Sequence, residues 1–334
     1  MRAAVFLGDG RLEIREVPEP SIDAPDDVLI EVEACGICGS DVHVLDVPPG
    51  HPATPGTILG HEFVGRIVAT GPGARDLAAG QRVVVDPDPK CGSCESCRAG
   101  RPSNCSRIVA LGVYRHGALA PLVVAPAAAV FPIAESVRPE IAAMVEPLAC
   151  VVNGTNRAAV RPGESAVVIG AGAIGCLFIA VLKAAGATPI IAVEPSVQRR
   201  PVAMKVGADH VLAPEDFDRI RSELLPAGAD VVVDAVGSVL GSAIEAAAMG
   251  GRIVLFGMND NARPAIPQVE ITRRGLTVLG SYISNFTFPP AIRLVESGQL
   301  DLGPIVTEIL PLARTAEGIE RIRSGEATKI VITP

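Results

Sequence analysis

SAVVIGAGAIG, residues 165–175, is an apolar β-type run that passes straight into a glycine-rich turn. Gly170 permits the tight turn, Gly172 lets backbone approach a pyrophosphate, and Gly175 allows a helix to pack closely on the strand. A helix opening at Ala173 and Ile174 then points its N-terminus at the phosphates. A G-x-G-x-x-G pattern can also be a plain glycine turn, so the flanks decide. A second strand, PIIAVE, ends at Glu194, about 20 residues after the turn, as a dinucleotide-binding unit requires. Glu194 is expected to accept hydrogen bonds from the adenosine ribose and to repel a 2′-phosphate, which favours NAD over NADP. Arg199 and Arg200 follow; Arg199 is a cofactor-binding candidate, and the pair reads otherwise as a solvated helix face.

Outward from this motif the texture is α/β. SVQRRPVAMKVG reads as a helix confined by Pro201 or beginning at it. HVLA, DVVVDAVG, RIVLFG and LTVLGSY continue the strands, with AIEAAAMG as a helical stretch between them. β-Branched runs separated by helices imply a doubly wound parallel sheet covered on both faces, assigned to residues 151–285. Residues 1–150 read differently. VLIEVEA, FVGRIVATG, QRVVV and APLVVAP alternate with period two between Gly and Pro, which implies a β-rich, barrel-like domain. Residues 286–334 supply PPAIRLVESG, LPLARTAEGIERIRSG and a last strand, KIVITP, expected to return to that first domain.

The bulk numbers exclude several functions. A length of 334 residues favours two domains, and the net charge of −8 has no basic block suited to nucleic acid. No apolar run approaches the ~20 residues of a membrane span, and the N-terminus lacks a signal-peptide core, so a cytoplasmic protein is expected.

Of the eight cysteines, Cys91, Cys94, Cys97 and Cys105 form C-x2-C-x2-C-x7-C inside a lobe of about residues 88–106. Gly, Ser and Pro dominate that lobe, so it cannot hold its shape by burial, whereas a tetrahedral Zn²⁺ can hold it. This spacing, without a secretory signal, favours metal over disulfides. A second, open site is suggested by Gly60-His61-Glu62 together with Cys38 in CGICGSDVH. Cys35 is the rival thiolate, and Glu146, Cys150 and Glu62 compete for the third position.

CGICGSDVH (35–43), GHEFVGRIVATG (60–71), the four-cysteine lobe, EPLAC (146–150), GAGAIG (170–175) and KIVI (329–332) together resemble the zinc-dependent medium-chain dehydrogenases, closest to their sorbitol or polyol branch. The likeness runs nearly end to end. It implies a GroES-like β-rich catalytic domain beside a Rossmann domain, with one structural and one catalytic zinc per subunit. It also implies Cys38, His61 and Glu146 as the catalytic-zinc ligands, with Glu62 behind them or exchanging with water. Asp41 would hold the ligand His, and Ser40 and His43 would relay the proton; read without the resemblance, these two are a turn serine and an exposed histidine. Lys329 would reach Glu62 or the cofactor phosphates. The implied reaction interconverts a small-molecule secondary alcohol and its ketone with NAD(H), in a homotetramer or dimer.

Two departures stand out: Gln81 replaces the usual Asp, and Ser281-Tyr282 lies where sorbitol dehydrogenases tend to carry Arg-Tyr, which leaves the reaction class intact but not sorbitol itself. Threonine-type dehydrogenases and zinc-dependent reductases of secondary metabolism share these motifs, and a dinucleotide-binding protein without chemistry is the reading from another class.

Overall fold

The computed structural model describes residues 1–334. Six strands form one wholly parallel sheet, in the spatial order His210–Leu212, Ile190–Val193, Ala166–Ile169, Ala229–Asp234, Ala247–Leu255, Thr277–Gly280. Numbered along the chain this is 3-2-1-4-5-6, in which the strand carrying the glycine turn sits at the point where the order reverses. Alternate side chains of these strands enter different cores. Ala166, Val168, Val231 and Val233 join one cluster, while Val167, Ile169 and Val232 join another on the opposite face. A sheet buried on both sides needs β-branched residues at consecutive positions, hence the unbroken apolar runs in the sequence.

A second, seven-stranded sheet is mixed and mostly antiparallel. Its central strand, Asp27–Gly36, pairs with Glu62–Thr70, Leu122–Pro126 and the last strand, Lys329–Thr333. The C-terminal strand thus lies in the sheet built from the first part of the chain, with Val331 opposite Gly36. No helix is long and apolar enough to cross a membrane.

The helix Val145–Ala158 joins the two units. Val145, Leu148, Ala149, Val151 and Val152 share one core cluster with Val64 and Val84 of the mixed sheet and with Ala166 and Val168 of the parallel sheet. It therefore carries Glu146 into the seam between them.

One local boundary differs from the sequence reading, and another follows one of its alternatives. The AIEAAAMG stretch is helical only to Ala246, and Ala247–Gly250 already belongs to a strand. Alanine favours helix, but Ala247 pairs with Ala229 in the ladder, and tertiary pairing overrides the propensity. Of SVQRRPVAMKVG only Arg200–Lys205 is α-helix, with Pro201 in its first turn, where a missing N–H costs nothing. Gln81, the departure at 80–83, closes a turn by accepting the Ala78 amide at 2.9 Å.

Candidate active site

The glycine turn has the backbone its composition demands. Gly170 has φ +90°, and a Cβ on Gly175 would lie 1.8 Å from the Gly170 carbonyl oxygen. A Cβ on Gly172 would meet only Arg199 Nη1, at 3.9 Å, so this amide faces open space ahead of the helix Ala173–Ala184. Glu194 is buried at the end of the next strand. Its Oε2 accepts the Ala171 amide at 2.7 Å and its Oε1 the Ser196 amide at 2.8 Å, so it braces the turn. Neither arginine after it is a free, solvated side chain. Arg199 donates from Nε and Nη2 to Ala327 O at 2.9 and 2.7 Å, and from Nη2 to Ile322 O at 2.8 Å; Arg200 donates to the Glu194 and Pro195 carbonyls.

Across a cleft of about 390 Å³ lie Cys38, Glu62 and Lys329, facing Gly172 and Gly175. Strand register explains why these distant residues meet. Gly36 pairs with Glu62 in the antiparallel ladder, so the chain leaving the first strand and the chain entering the second are neighbours. Cys38 caps the short helix Gly39–Val44, its amide donating to Asp41 Oδ2 at 2.9 Å. The ligand atoms of Cys38, His61 and Glu62 lie within 4.8 Å of one another. Ser40 Oγ is 3.4 Å from His61 Nε2. Cys35 is fully buried with its thiol against Gly36 O, outside this group; burial first, then the Asp41 and Glu62 charges, hold its pKa well up.

The group has the chemistry of a cation site. Burial alone would lower the His61 pKa, but the Cys38 and Asp41 charges, a Cys38 hydrogen bond and Glu146 outweigh it, and the imidazole is pushed well above its usual value. Its Nδ1 is buried without a hydrogen-bond partner, with Asp41 Oδ1 3.8 Å away, beyond hydrogen-bonding range. A thiolate, an imidazole and a carboxylate beside an open cleft suit zinc with a position left for substrate.

Here Glu62, rather than Glu146, is the acid gathered with Cys38 and His61. Glu62 is also ion-paired to Lys329, whose Nζ further donates to Ile37 O at 2.9 Å. Lys329 is buried and reaches Glu62, one of the two destinations expected for it, while also lining the cleft that faces the glycine turn. Glu146 accepts from the Cys150 thiol at 3.5 Å and has no cationic side chain paired to it. Its pKa is pushed up to about 8, chiefly by burial and despite His61. His43 stands half-exposed at the mouth, its Nδ1 3.0 Å from Asp46 Oδ2.

The four cysteines of the lobe also converge, their sulfurs within 4.8 Å of one another and none in a disulfide. Backbone amides point at them: Cys94 N donates to Cys91 Sγ at 3.3 Å, and Arg107 N to Cys105 Sγ at 3.4 Å. Such donors hold Cys91 down to about 5, whereas desolvation and its neighbouring thiols push Cys97 up to about 12. Four sulfurs this close do not all ionise without a cation among them.

Sequence reasoning missed the polar frame around Glu146. Lys90 bridges both Asp86 oxygens and Ser284 Oγ, and Asn153 Nδ2 donates to the Ile283 carbonyl at 2.8 Å. These links tie the 86–90 loop and the 281–287 loop to the Glu146 helix and set where Tyr282 stands. The Ser284 and Ile283 contacts span well over a hundred residues of chain, so no local pattern announces them.

Comparison with known proteins places the chain in a family. Residues 24–135 match the alcohol dehydrogenase GroES-like domain and residues 173–297 the zinc-binding dehydrogenase domain. The chain is 34% identical to an L-threonine 3-dehydrogenase of Caldanaerobacter subterraneus, over 96% of this chain and 94% of that one. It is equally 34% identical to a D-altritol 5-dehydrogenase of Agrobacterium fabrum, over 98% of both. A solved zinc-binding dehydrogenase structure from Sinorhizobium meliloti, bound to NADP, superposes with a TM-score of 0.94 at 32% identity, covering 100% of this chain and 99% of the other.

Proposed function

The chain belongs to the zinc-binding dehydrogenase family, with its alcohol dehydrogenase GroES-like domain, and from that premise we propose that it interconverts a neutral secondary alcohol of the polyol type and its ketone. The observation that carries this reading is that the phosphate-type glycine turn and the Cys38–Glu62 pair line one and the same cleft. A zinc ion there would supply Lewis acidity that lowers the pKa of an alcohol oxygen, and a nicotinamide would supply the hydride acceptor.

The chain's own residues do the rest. Cys38 and His61 are two of the proposed metal ligands. Glu146 is favoured as the third, because Glu62 is already neutralised by Lys329 while Glu146 has no cation of its own. Ser40, beside His61, is positioned to take the substrate proton, and His43 at the half-exposed mouth to pass it to water. The Cys91–Cys105 lobe is the proposed second, closed zinc site. Gly170–Gly175 and Arg199 are assigned to the cofactor.

NAD is the preferred cofactor in this reading. Glu194 is buried beside the turn, and a 2′-phosphate against a carboxylate is repelled. The NADP in the Sinorhizobium meliloti protein makes this the point to measure first. A homo-oligomer is also proposed, formed through the edge strand Thr277–Gly280, whose outer side has no neighbouring strand.

The amino-alcohol reading is kept alive by the threonine dehydrogenase relative. Initial rates at 340 nm with xylitol, D-altritol, 2,3-butanediol and L-threonine, each with NAD and NADP, separate the possibilities. We expect the polyols with NAD to give the highest kcat/KM; a preference for L-threonine overturns the substrate class, and equal use of NADP overturns the role given to Glu194. Ser40→Ala should lower kcat by about 10²–10³-fold at unchanged zinc content; normal turnover rejects the relay.

A further inference from the structure

The loop between the strand Thr277–Gly280 and the helix Phe288–Glu296 is held in a conformation its residues resist. Ile283 has φ +41° and Phe286 φ +59°, both in the left-handed region and neither a glycine. For a β-branched residue such as Ile283 that backbone is an outlier, and it persists only where surrounding contacts over-determine it. One side of the loop is fastened to the helix Val145–Ala158. Asn153, two turns after Glu146, donates to Ile283 O at 2.8 Å, and Thr287 Oγ1 donates to Ala149 O at 2.6 Å.

The other side is fastened to the root of the cysteine lobe. Lys90 immediately precedes Cys91, whose amide donates to Cys105 Sγ at 3.5 Å. Lys90 Nζ donates to Asp86 Oδ1 and Oδ2 at 2.8 and 2.7 Å and to Ser284 Oγ at 3.1 Å. Ser284 Oγ in turn donates to Asp86 Oδ2 at 3.1 Å. An ammonium, a carboxylate and a hydroxyl thus each satisfy the other two, and two of the three carry charge. Ser284 is 2% exposed, so water competes little for these bonds. Asp86 is itself fixed at the end of the strand Arg82–Val85, its amide donating to Ala129 O at 2.8 Å. The strained loop is therefore clamped at its middle residue by an ion pair from the mixed-sheet part of the molecule.

What the clamp presents is Tyr282. The residue is half-exposed, its phenol has no hydrogen-bond partner, and its carbonyl lies 3.4 Å from Asn153 Nδ2. Burial, then the Asp88 charge, push its pKa up, with Tyr114 and Cys150 also within electrostatic reach. Cys150 is the thiol that donates to Glu146, so Tyr282 stands over the helix face that carries Glu146.

We propose that Lys90 and Ser284 are positioning residues for the substrate: their contact holds Tyr282 where its phenol meets an outer hydroxyl of a polyol. The proposal rests on the polyol reading given above. Neither residue belongs to the assigned metal ligands or to the proton relay; both act through Tyr282.

Ser284→Ala is the cleaner variant, because it releases the loop and leaves the Lys90–Asp86 pair intact. Lys90→Met removes the other end and serves if the first variant does not fold. Initial rates with D-altritol and xylitol at saturating NAD are measured for both, for Tyr282→Phe and for the double variant Ser284→Ala/Tyr282→Phe, beside zinc content and NADH affinity. In each single variant the polyol KM should rise about tenfold, as for loss of one well-placed hydrogen bond, at nearly unchanged kcat. The double variant should be no worse than Tyr282→Phe alone, since both changes remove the same contact. Zinc content and NADH affinity should not move.

An unchanged polyol KM in Ser284→Ala and Lys90→Met overturns the proposal. So do additive effects of Ser284→Ala and Tyr282→Phe, which would place the action elsewhere, and so does a KM rise accompanied by loss of zinc or of NADH affinity. If wild type turns over no polyol, the polyol reading falls and this inference with it; normal polyol turnover with unaffected variants sinks this inference alone.

Discussion

In the strand Ala166–Ile169 every side chain is buried, whereas the short helix Glu95–Arg98 inside the cysteine lobe buries none. Both segments have a definite shape, but they obtain it differently. The strand is fixed by apolar contact on two faces and by ladders to two parallel neighbours. The lobe has amide-to-sulfur hydrogen bonds and four converging thiols, with little apolar surface to remove from water. One region is stabilised by burial and is indifferent to metal. In the proposed reading the other takes a cation to neutralise its sulfurs, and its stability is then metal affinity under another name.

The sharpest break of this comparison is a third kind of site, the open cluster, which should control chemistry without controlling the fold. Cys38→Ala is expected to lower turnover on the order of 10³-fold or more. Bound zinc should fall from two to one per subunit while the thermal transition barely moves. A large loss of Tm would mean that the open cluster holds the fold up as well.

The contrast between lobe and sheet is tested by a pair of variants. Ile191→Ala, at a fully buried position of the parallel sheet, should cost about 2–5 kcal/mol whether or not a chelator is present. Cys105→Ser should release the lobe's zinc and make residues 88–106 protease-sensitive, and chelation of wild type should reproduce that pattern. An Ile191→Ala cost that changes with chelator, or a wild-type lobe that stays protease-resistant when chelated, would erase the distinction.

The smallest effect is electrostatic and belongs to the sheet's rim. Burial pushes the Glu164 pKa up, but hydrogen bonds from Arg252 and the Arg161 amide outweigh it, and the folded value is depressed. Its contribution is therefore present above the ordinary carboxylate pKa of about 4.3 and is lost as pH falls through the lower folded value. Glu164→Gln should be less stable than wild type at neutral pH by about 1 kcal/mol, as a partly exposed ion pair allows. The gap should close below about pH 4; a gap independent of pH would assign the effect to packing.

How far the site was legible varies residue by residue. Gly170 and Gly175 are readable because their requirement is local: a left-handed turn and a 1.8 Å clearance leave no other choice of residue. Cys91, Cys94, Cys97 and Cys105 are readable because the ligands sit within one short loop. Glu146 and Glu62 are different. Each is an acid beside a plausible metal, and only the pairing of Lys329 with Glu62 distinguishes the charge left over from the charge already matched. AIEAAAMG misled at its end because alanine propensity is a weaker force than a parallel ladder.

The sequence by itself determined the chemical parts: a phosphate-type turn, a soft four-sulfur cluster, a Cys–His pair with acids nearby, and strands of two periodicities. These follow from short-range rules, in which spacing along the chain stands for distance in space. Tertiary structure alone decided which parts share a cleft. It brought Gly172 opposite Cys38, tied Arg199 to Ala327, matched Lys329 to Glu62, and left the buried Thr328 hydroxyl without a partner. Those outcomes depend on strand register and on one buried helix joining two sheets, and no local pattern in the chain encodes either.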